Sequence, residues 1–207
     1  MCERKKHWEK VYAGSKPDEV SWYQDQPGKS LALIQQAAVP KDGELIDVGG
    51  GASRLVDRLL ESGFKNLSVL DISANGLNYA KGRLGARAAD VKWIEADVTA
   101  FSTDQTYDLW HDRAVFHFLT EERDRGNYIA SVRKALKPGG SLILAAFAPD
   151  GPEKCSGLPV RRYDAGLVRE TFGSGFEILH ESMEAHKTPW DTEQKFTYFL
   201  LKRTPIS

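Results

Sequence analysis

The chain has 207 residues, 41% of them apolar and 28% charged, enough for one well-buried core and short for two independent ones. Its 28 basic and 29 acidic residues leave a formal net charge of -1, so no global field draws in a polyanion and nucleic acid is not an expected partner. The opening M-C-E-R-K-K-H-W-E-K is charged where a secretory signal needs an apolar core, and no apolar run is long enough to span a bilayer, which predicts a cytoplasmic protein without membrane association.

Residues 1–28 form a polar segment with isolated aromatics and no sustained period, read as an arm or lid preceding one domain at 29–207. Leu31, Leu33, Ile34, Ala37 and Ala38 recur at helical spacing until Pro40. A strand at Glu44 to Val48 follows, then a helix with Leu55, Val56, Leu59 and Leu60 on one face, ending at Gly63. Leu67 to Asp71 repeats the pattern, with Ser73 as the N-cap of a helix reaching about Arg83. Further strands are expected at Val91 to Glu95, Tyr107 to His111 and Ser141 to Phe147. Between the last two, a helix opens at Thr120 and closes at K-P-G-G. Alternating strands and helices imply a parallel sheet covered on both faces. Phe176 to Met183 and Lys195 to Arg203 have no helical pattern between them, so the final strand returns antiparallel. The stretch from Ala148 to Tyr163 reads as a loop, rich in Gly and Pro. Cys2 and Cys155 lack ligand-spaced partners, so neither a disulfide framework nor a structural metal site is expected.

The first strand ends in an acid and breaks into consecutive glycines, E-L-I-D-V-G-G-G-A-S, as a buried strand does where it delivers a nucleotide-like ligand to the next helix. Gly49, Gly51 and Arg54 occupy the places of G-x-G-x-x-G, but the bulk of Arg54 obstructs the close helix packing a dinucleotide motif requires. Asp71 closes the second strand at the separation where an acid accepts from two ribose hydroxyls. Asp97, after the third, is placed for the exocyclic amine of adenine, with Val98 as an apolar contact.

With this ordered set of acids, the D-V-G-G-G-A-S loop and the K-P-G-G turn, the chain resembles the class I S-adenosylmethionine-dependent methyltransferases from about residue 29 to 207. The resemblance implies a three-layer α/β Rossmann-like sandwich whose seven-stranded, mostly parallel sheet has the order 3-2-1-4-5-7-6, with the last strand antiparallel. It implies S-adenosyl-L-methionine as cofactor and S-adenosyl-L-homocysteine as product. Asp47, Gly49, Gly50, Gly51 and Ser53 would lie under the methionine part, Asp71 and Ile72 beside the ribose, and Asp97 and Val98 at the adenine. Trp22 and Tyr23, in S-W-Y-Q, would fold over the cofactor. The same segment is similar to the entry of a lysine methyltransferase branch that includes the citrate synthase enzyme.

The stretch W-H-D-R-A-V-F-H-F-L after the fourth strand resembles the reaction centre of thiol and thiopurine methyltransferases and lacks the D/N-P-P-Y/F signature of nucleobase amino-group methylation. His111, Arg113 and His117 are its candidate catalytic residues, and His111 also a cofactor contact; a histidine titrating near neutrality suits substrate orientation or proton transfer. Cys155, Arg161, Arg162 and Trp190 lie in segments that could border the acceptor, the alternatives being an inert loop cysteine and simple loop packing of the tryptophan. The reading is in-line methyl transfer to a small nucleophile, of thiol or sulfide type, by a monomer or homodimer. Its alternatives are a protein lysine N-methyltransferase and a non-catalytic S-adenosylmethionine-binding regulatory module.

Overall fold

The computed structural model describes residues 3–14, 16 and 19–204, so Cys2 and the expectation attached to it lie outside the described residues. The helices are α1 (Glu3–Gly14), α2 (Gly28–Gln36), α3 (Leu55–Glu61), α4 (Ala74–Leu84), α5 (Glu122–Ala135) and α6 (Ala165–Phe172). The strands are β1 (Glu44–Val48), β2 (Asn66–Asp71), β3 (Val91–Glu95), β4 (Tyr107–Arg113), β5 (Leu136–Phe147), β6 (Lys154–Cys155), β7 (Leu158–Pro159), β8 (Phe176–Lys187) and β9 (Glu193–Arg203).

Seven strands form one sheet in the order β3-β2-β1-β4-β5-β9-β8, while β6 and β7 make a separate two-stranded ribbon. With the ribbon set aside, this is the expected 3-2-1-4-5-7-6 order of an α/β Rossmann-like fold. β9 pairs antiparallel with both β5 and β8.

Two-residue alternation on the central strands sorts the core into two layers. Ile46, Val48, Trp110, Leu142 and Leu144 pack on the face covered by α5 and α6. Leu45, Leu109, Ile143 and Ala145 pack on the other, against Leu33 and Ile34 of α2 and Leu55, Val56 and Leu59 of α3. Full burial of each Leu or Ile contributes roughly 1.5–3 kcal/mol. Central strands buried on both sides therefore read as the continuous apolar runs seen in the sequence.

β5 starts at Leu136 and takes in K-P-G-G, which the sequence reading has as a turn before Ser141, and three elements are new. Residues 3–14 are a helix, not an irregular arm, and Trp8 and Tyr12 share its inner face at i, i+4 spacing. The loop after β5 contains the β6–β7 ribbon, closed through Ser156 and Gly157, both with positive φ. α6 lies between that ribbon and β8. It is capped by Asp164, whose side chain accepts from Leu167 N at 2.8 Å, and buries Val168 and Phe172.

Candidate functional site

The C-terminal ends of β1, β2, β3 and β4 meet at one edge of the sheet, and the turn after β1 is its floor. Gly49 has φ +70°, which a non-glycine residue rarely adopts. The Gly49 and Gly50 amides both donate to Leu70 O, at 2.7 and 3.3 Å, holding the turn against the end of β2. A Cβ on Gly49 would stand 2.0 Å from Val115 Cγ2, and one on Gly50 2.7 Å from Asp47 Oδ2. On Gly51 it would stand 2.5 Å from the Tyr12 hydroxyl. Gly51 thus serves the passage of Tyr12 across the loop, a reason invisible in the motif itself.

Asp71, 5% exposed, ends β2 with its carboxylate accepting from Ser73 N at 2.8 Å and from the Gly51 amide. Burial pushes its pKa up to about 7 over the opposing effect of these two amides, with Asp47 and Glu9 adding to the rise. A buried carboxylate in this state has much to gain from added hydroxyl donors. Asp47 on β1 and His111 on β4 are register neighbours on the face toward α2. His111 Nδ1 lies 2.7 Å from Asp47 Oδ1, and its Nε2 lies 2.9 Å from Ser30 Oγ. Both bonds are satisfied when Nδ1 donates to the carboxylate and Ser30 donates to Nε2. Asp47 Oδ2 remains buried and unpartnered.

The roof comes from α1. Glu9 accepts from the Ala74 and Asn75 amides at 2.8 and 3.2 Å and from Ser73 Oγ at 2.9 Å, so a side chain of α1 caps the start of α4. Arg4 reaches Asp97 at 3.1 Å and Asp124 at 2.5 Å, and Lys5 pairs with Glu95. Trp8 meets Phe118 and Trp22 edge-on, with ring centroids 5.0 and 5.7 Å apart. Arg4, Trp8, Glu9 and Tyr12 were missed from sequence; the Trp8, Val11, Tyr12 spacing is the signal that would have found them.

Two adjoining hollows result. The larger, about 730 Å³ including space open to solvent, is bounded by Trp22, Gly49, Asp71, Ile72, Asp97, Val98, Arg113 and Cys155, with Trp8, Tyr12 and Phe118 above. The smaller, about 540 Å³, takes in Tyr23, Asp47, Gly50, Ser53 and His111. Trp22, Gly49 and Arg113 border both. Gly51 borders neither and spends its amide on Asp71. Asp97 also accepts from Thr99 N at 2.9 Å, so an incoming amine would share it with Arg4.

The expected catalytic residues separate by environment. His117 is fully buried, lines neither hollow, and has two ring nitrogens without partners. Burial, then the Arg113 charge, lowers its pKa to about 3, so it stays neutral and packs against Phe118, Phe147 and Phe196 instead of exchanging protons. His111, with both nitrogens engaged, orients Asp47 and is no free base. Arg113 donates from Nε to the Tyr198 hydroxyl at 2.8 Å and from Nη1 to Trp22 O at 3.0 Å, and lies 4.5 Å over the Phe196 ring. Its role is to fix the roof segment from below.

Cys155 is buried beside the larger hollow, and burial raises its thiol pKa, so it rests protonated. Arg161 lies 5.9 Å from the Tyr163 ring, and Arg162 pairs with Glu153. Arg54, which excluded a dinucleotide loop, pairs with Asp25 at 3.1 Å and helps hold the residues after Tyr23.

Residues 45–140 match the family model described as a methyltransferase domain. Among curated proteins, the eEF1A lysine and N-terminal methyltransferase of Danio rerio is 23% identical over 70% of this chain, which spans 21% of that relative's length. Among solved structures, the N-methyltransferase NodS from Bradyrhizobium japonicum WM9, in complex with S-adenosyl-L-homocysteine, superposes with a TM-score of 0.74 at 16% identity, covering 99% of this chain and 100% of that one. A structure from work on conversion of a disulfide bond into a thioacetal group in echinomycin biosynthesis gives 0.79 at 17% identity, covering 98% of this chain and 94% of its own.

Proposed function

We propose that this chain, whose residues 45–140 match the model of a methyltransferase domain, is a class I, S-adenosylmethionine-dependent enzyme that methylates a small-molecule nucleophile of the thiol or sulfide kind and releases S-adenosyl-L-homocysteine. The observation that carries the acceptor is the state of the ionisable groups. Among the described residues bounding the hollows, His111 has both nitrogens bonded, Asp71 and Asp97 are held by amides, and Cys155 is a neutral thiol. With Asp71 taken up by the ribose and Asp47 Oδ2 by the ammonium of the cofactor, the nucleophile best suited to this site is one that arrives without a proton to lose, as a thioether or an already ionised thiol does.

The residues fit the cofactor. Asp71 is a buried acceptor for the ribose hydroxyls, and the orphaned Asp47 Oδ2 suits an ammonium beside the glycine turn. Ile72, Val98 and Asp97 receive the base, while Ser53 and Tyr23 close the smaller hollow. Bound there, the cofactor supplies a methyl group activated by a sulfonium charge. α1 and residues 19–22 act as the lid. Trp8, Tyr12, Trp22 and Phe118 exclude water, which strengthens the attraction between the sulfonium and electron-rich ring faces and strips the nucleophile of its hydration. The protein's contribution is alignment and desolvation.

Labelling a lysate with radioactive cofactor and separating small molecules from macromolecules tests this reading. Label is expected in the small-molecule fraction, with turnover of hydrosulfide or simple thiols by the purified protein. Inactivity on all of these at millimolar concentration overturns the sulfur acceptor. A labelled protein band instead supports lysine methylation, the second reading, which rests on the relative named for eEF1A lysine and on the S-W-Y-Q segment. Cofactor binding with no label transferred supports a regulatory module.

A further inference from the structure

Arg83, in the last turn of α4, reaches back to the loop that follows the glycine turn. Its Nη1 donates to Ala52 O at 3.0 Å and its Nη2 to Ser53 O at 2.6 Å, across 31 and 30 positions of the chain. The same guanidinium is forked onto Asp57 in the first turn of α3, with Nε donating to Oδ1 at 2.9 Å and Nη2 to Oδ2 at 2.6 Å. The two side chains are 22% and 10% exposed, so water competes little for these bonds. The ion pair alone would tie α3 to α4. The two carbonyl bonds do something further, because a peptide is planar and holding its oxygen fixes the plane. Ala52 and Ser53 border the smaller hollow, together with Asp47, Gly49 and Gly50. The Ala52 amide faces the Tyr12 hydroxyl, and the Tyr12 ring lies close on Gly76 of α4, where an added Cβ would stand 2.9 Å from its Cε2. The loop is thus braced on α4 at an amide and at two carbonyls. Tyr12 also borders the larger hollow, whereas Arg83 borders neither.

Resting on the methyltransferase reading above, we infer that Arg83 is a positioning residue for the amino-acid end of the cofactor: by pinning the Ala52 and Ser53 carbonyls it sets in advance the wall of the smaller hollow against which that end lies. It makes no bond to the cofactor itself. The adenosine end depends on Asp71, Ile72, Asp97 and Val98 at the larger hollow, and the hydrogen bonds of Arg83 go to none of these. Without the grip, the wall has to be ordered at the moment of binding, which costs affinity at that end alone. A lysine cannot take over, because a single ammonium can meet Asp57 but cannot present the planar fork that reaches a carboxylate and two carbonyls together.

S-adenosyl-L-homocysteine and methylthioadenosine share an adenosine and a thioether sulfur, and only the first carries the amino-acid end. Their affinities for the purified chain are measured by calorimetry, beside thermal unfolding. Arg83→Ala is expected to weaken S-adenosyl-L-homocysteine binding about tenfold while methylthioadenosine stays within about twofold. The ratio of the two affinities within one variant does not depend on the fraction folded, so lost stability cannot imitate the effect. Arg83→Lys should regain most of the thermal stability through Asp57 and little of the S-adenosyl-L-homocysteine affinity. Unchanged or equally weakened binding of both ligands in Arg83→Ala, or recovery of affinity in step with stability in Arg83→Lys, overturns the inference and leaves the cofactor reading standing. A wild-type protein that binds neither ligand overturns that reading, and the inference with it.

Discussion

The two sides of the cleft are built by different kinds of contact. On the adenosine side each acid has a local bond, Asp71 from Ser73 and Asp97 from Thr99, two residues along the chain, and α1 only adds to these from a distance, through Arg4 to Asp97 and Glu9 to Ala74. On the acceptor side the bonds join distant segments: Arg113 to Tyr198 across 85 positions, Arg113 to Trp22 across 91, Gln24 to Glu184 across 160, and His186 to Ser21 across 165. A site made of strand ends and the turns that follow them is written in a short motif. A site made by docking an N-terminal segment onto the β8–β9 hairpin is not. The difference teaches that cofactor and acceptor should be separable by mutation.

The largest effect is expected at Arg113, which ties the hairpin to the roof. Arg113→Ala should lower kcat on the order of 100-fold, since small misplacements of a reacting pair cost that much, while the cofactor Kd changes less than about threefold. Steady-state kinetics and calorimetry check this, and Arg113→Lys should not rescue, because an ammonium cannot make both bonds of the guanidinium fork. A cofactor affinity that fell in step with kcat would break the division. Next, Asp71→Ala should weaken cofactor binding by on the order of 2 kcal/mol through two lost charge-assisted hydrogen bonds. Unchanged affinity in the same calorimetry would sink the ribose assignment.

A pH effect of intermediate size follows from Asp71. Its folded pKa, raised to about 7, exceeds the unfolded value of about 3.9, so the unliganded protein loses stability as pH rises from about 4 to 7. Cofactor binding runs the other way, because the ionised carboxylate is the better acceptor. Affinity should fall about tenfold between pH 8 and pH 6, and Asp71→Asn should flatten that profile. The smallest effect is expected at His117. Its folded pKa, lowered to about 3, lies below the unfolded value of about 6.5, so its contribution to stability is present above pH 6.5 and is lost as pH falls toward 3. His117→Phe should keep turnover within about twofold and make thermal unfolding less acid-sensitive. A large loss of kcat there would return His117 to the reaction centre.

What the sequence determined on its own was the sheet and the edge that carries the proposed cofactor site. β1 through β5 follow from short apolar runs, helical spacing and turn residues, which act over a few positions, and their order from the family resemblance. The acids at 47, 71 and 97 follow with them, because each lies at the end of a strand or within two residues of it. Tertiary structure decided the rest. α1 is polar apart from its few inner residues, and its place depends on Glu9 and Arg4 finding partners on α4 and beyond β3. His111 and His117 look alike in the motif; only register and burial make one a partner of Asp47 and leave the other neutral among phenylalanines. Local pattern carries the energetics of a strand or a turn. The protonation state of a side chain, and what it touches across the chain, depend on desolvation and on neighbours that exist only once the layers have packed.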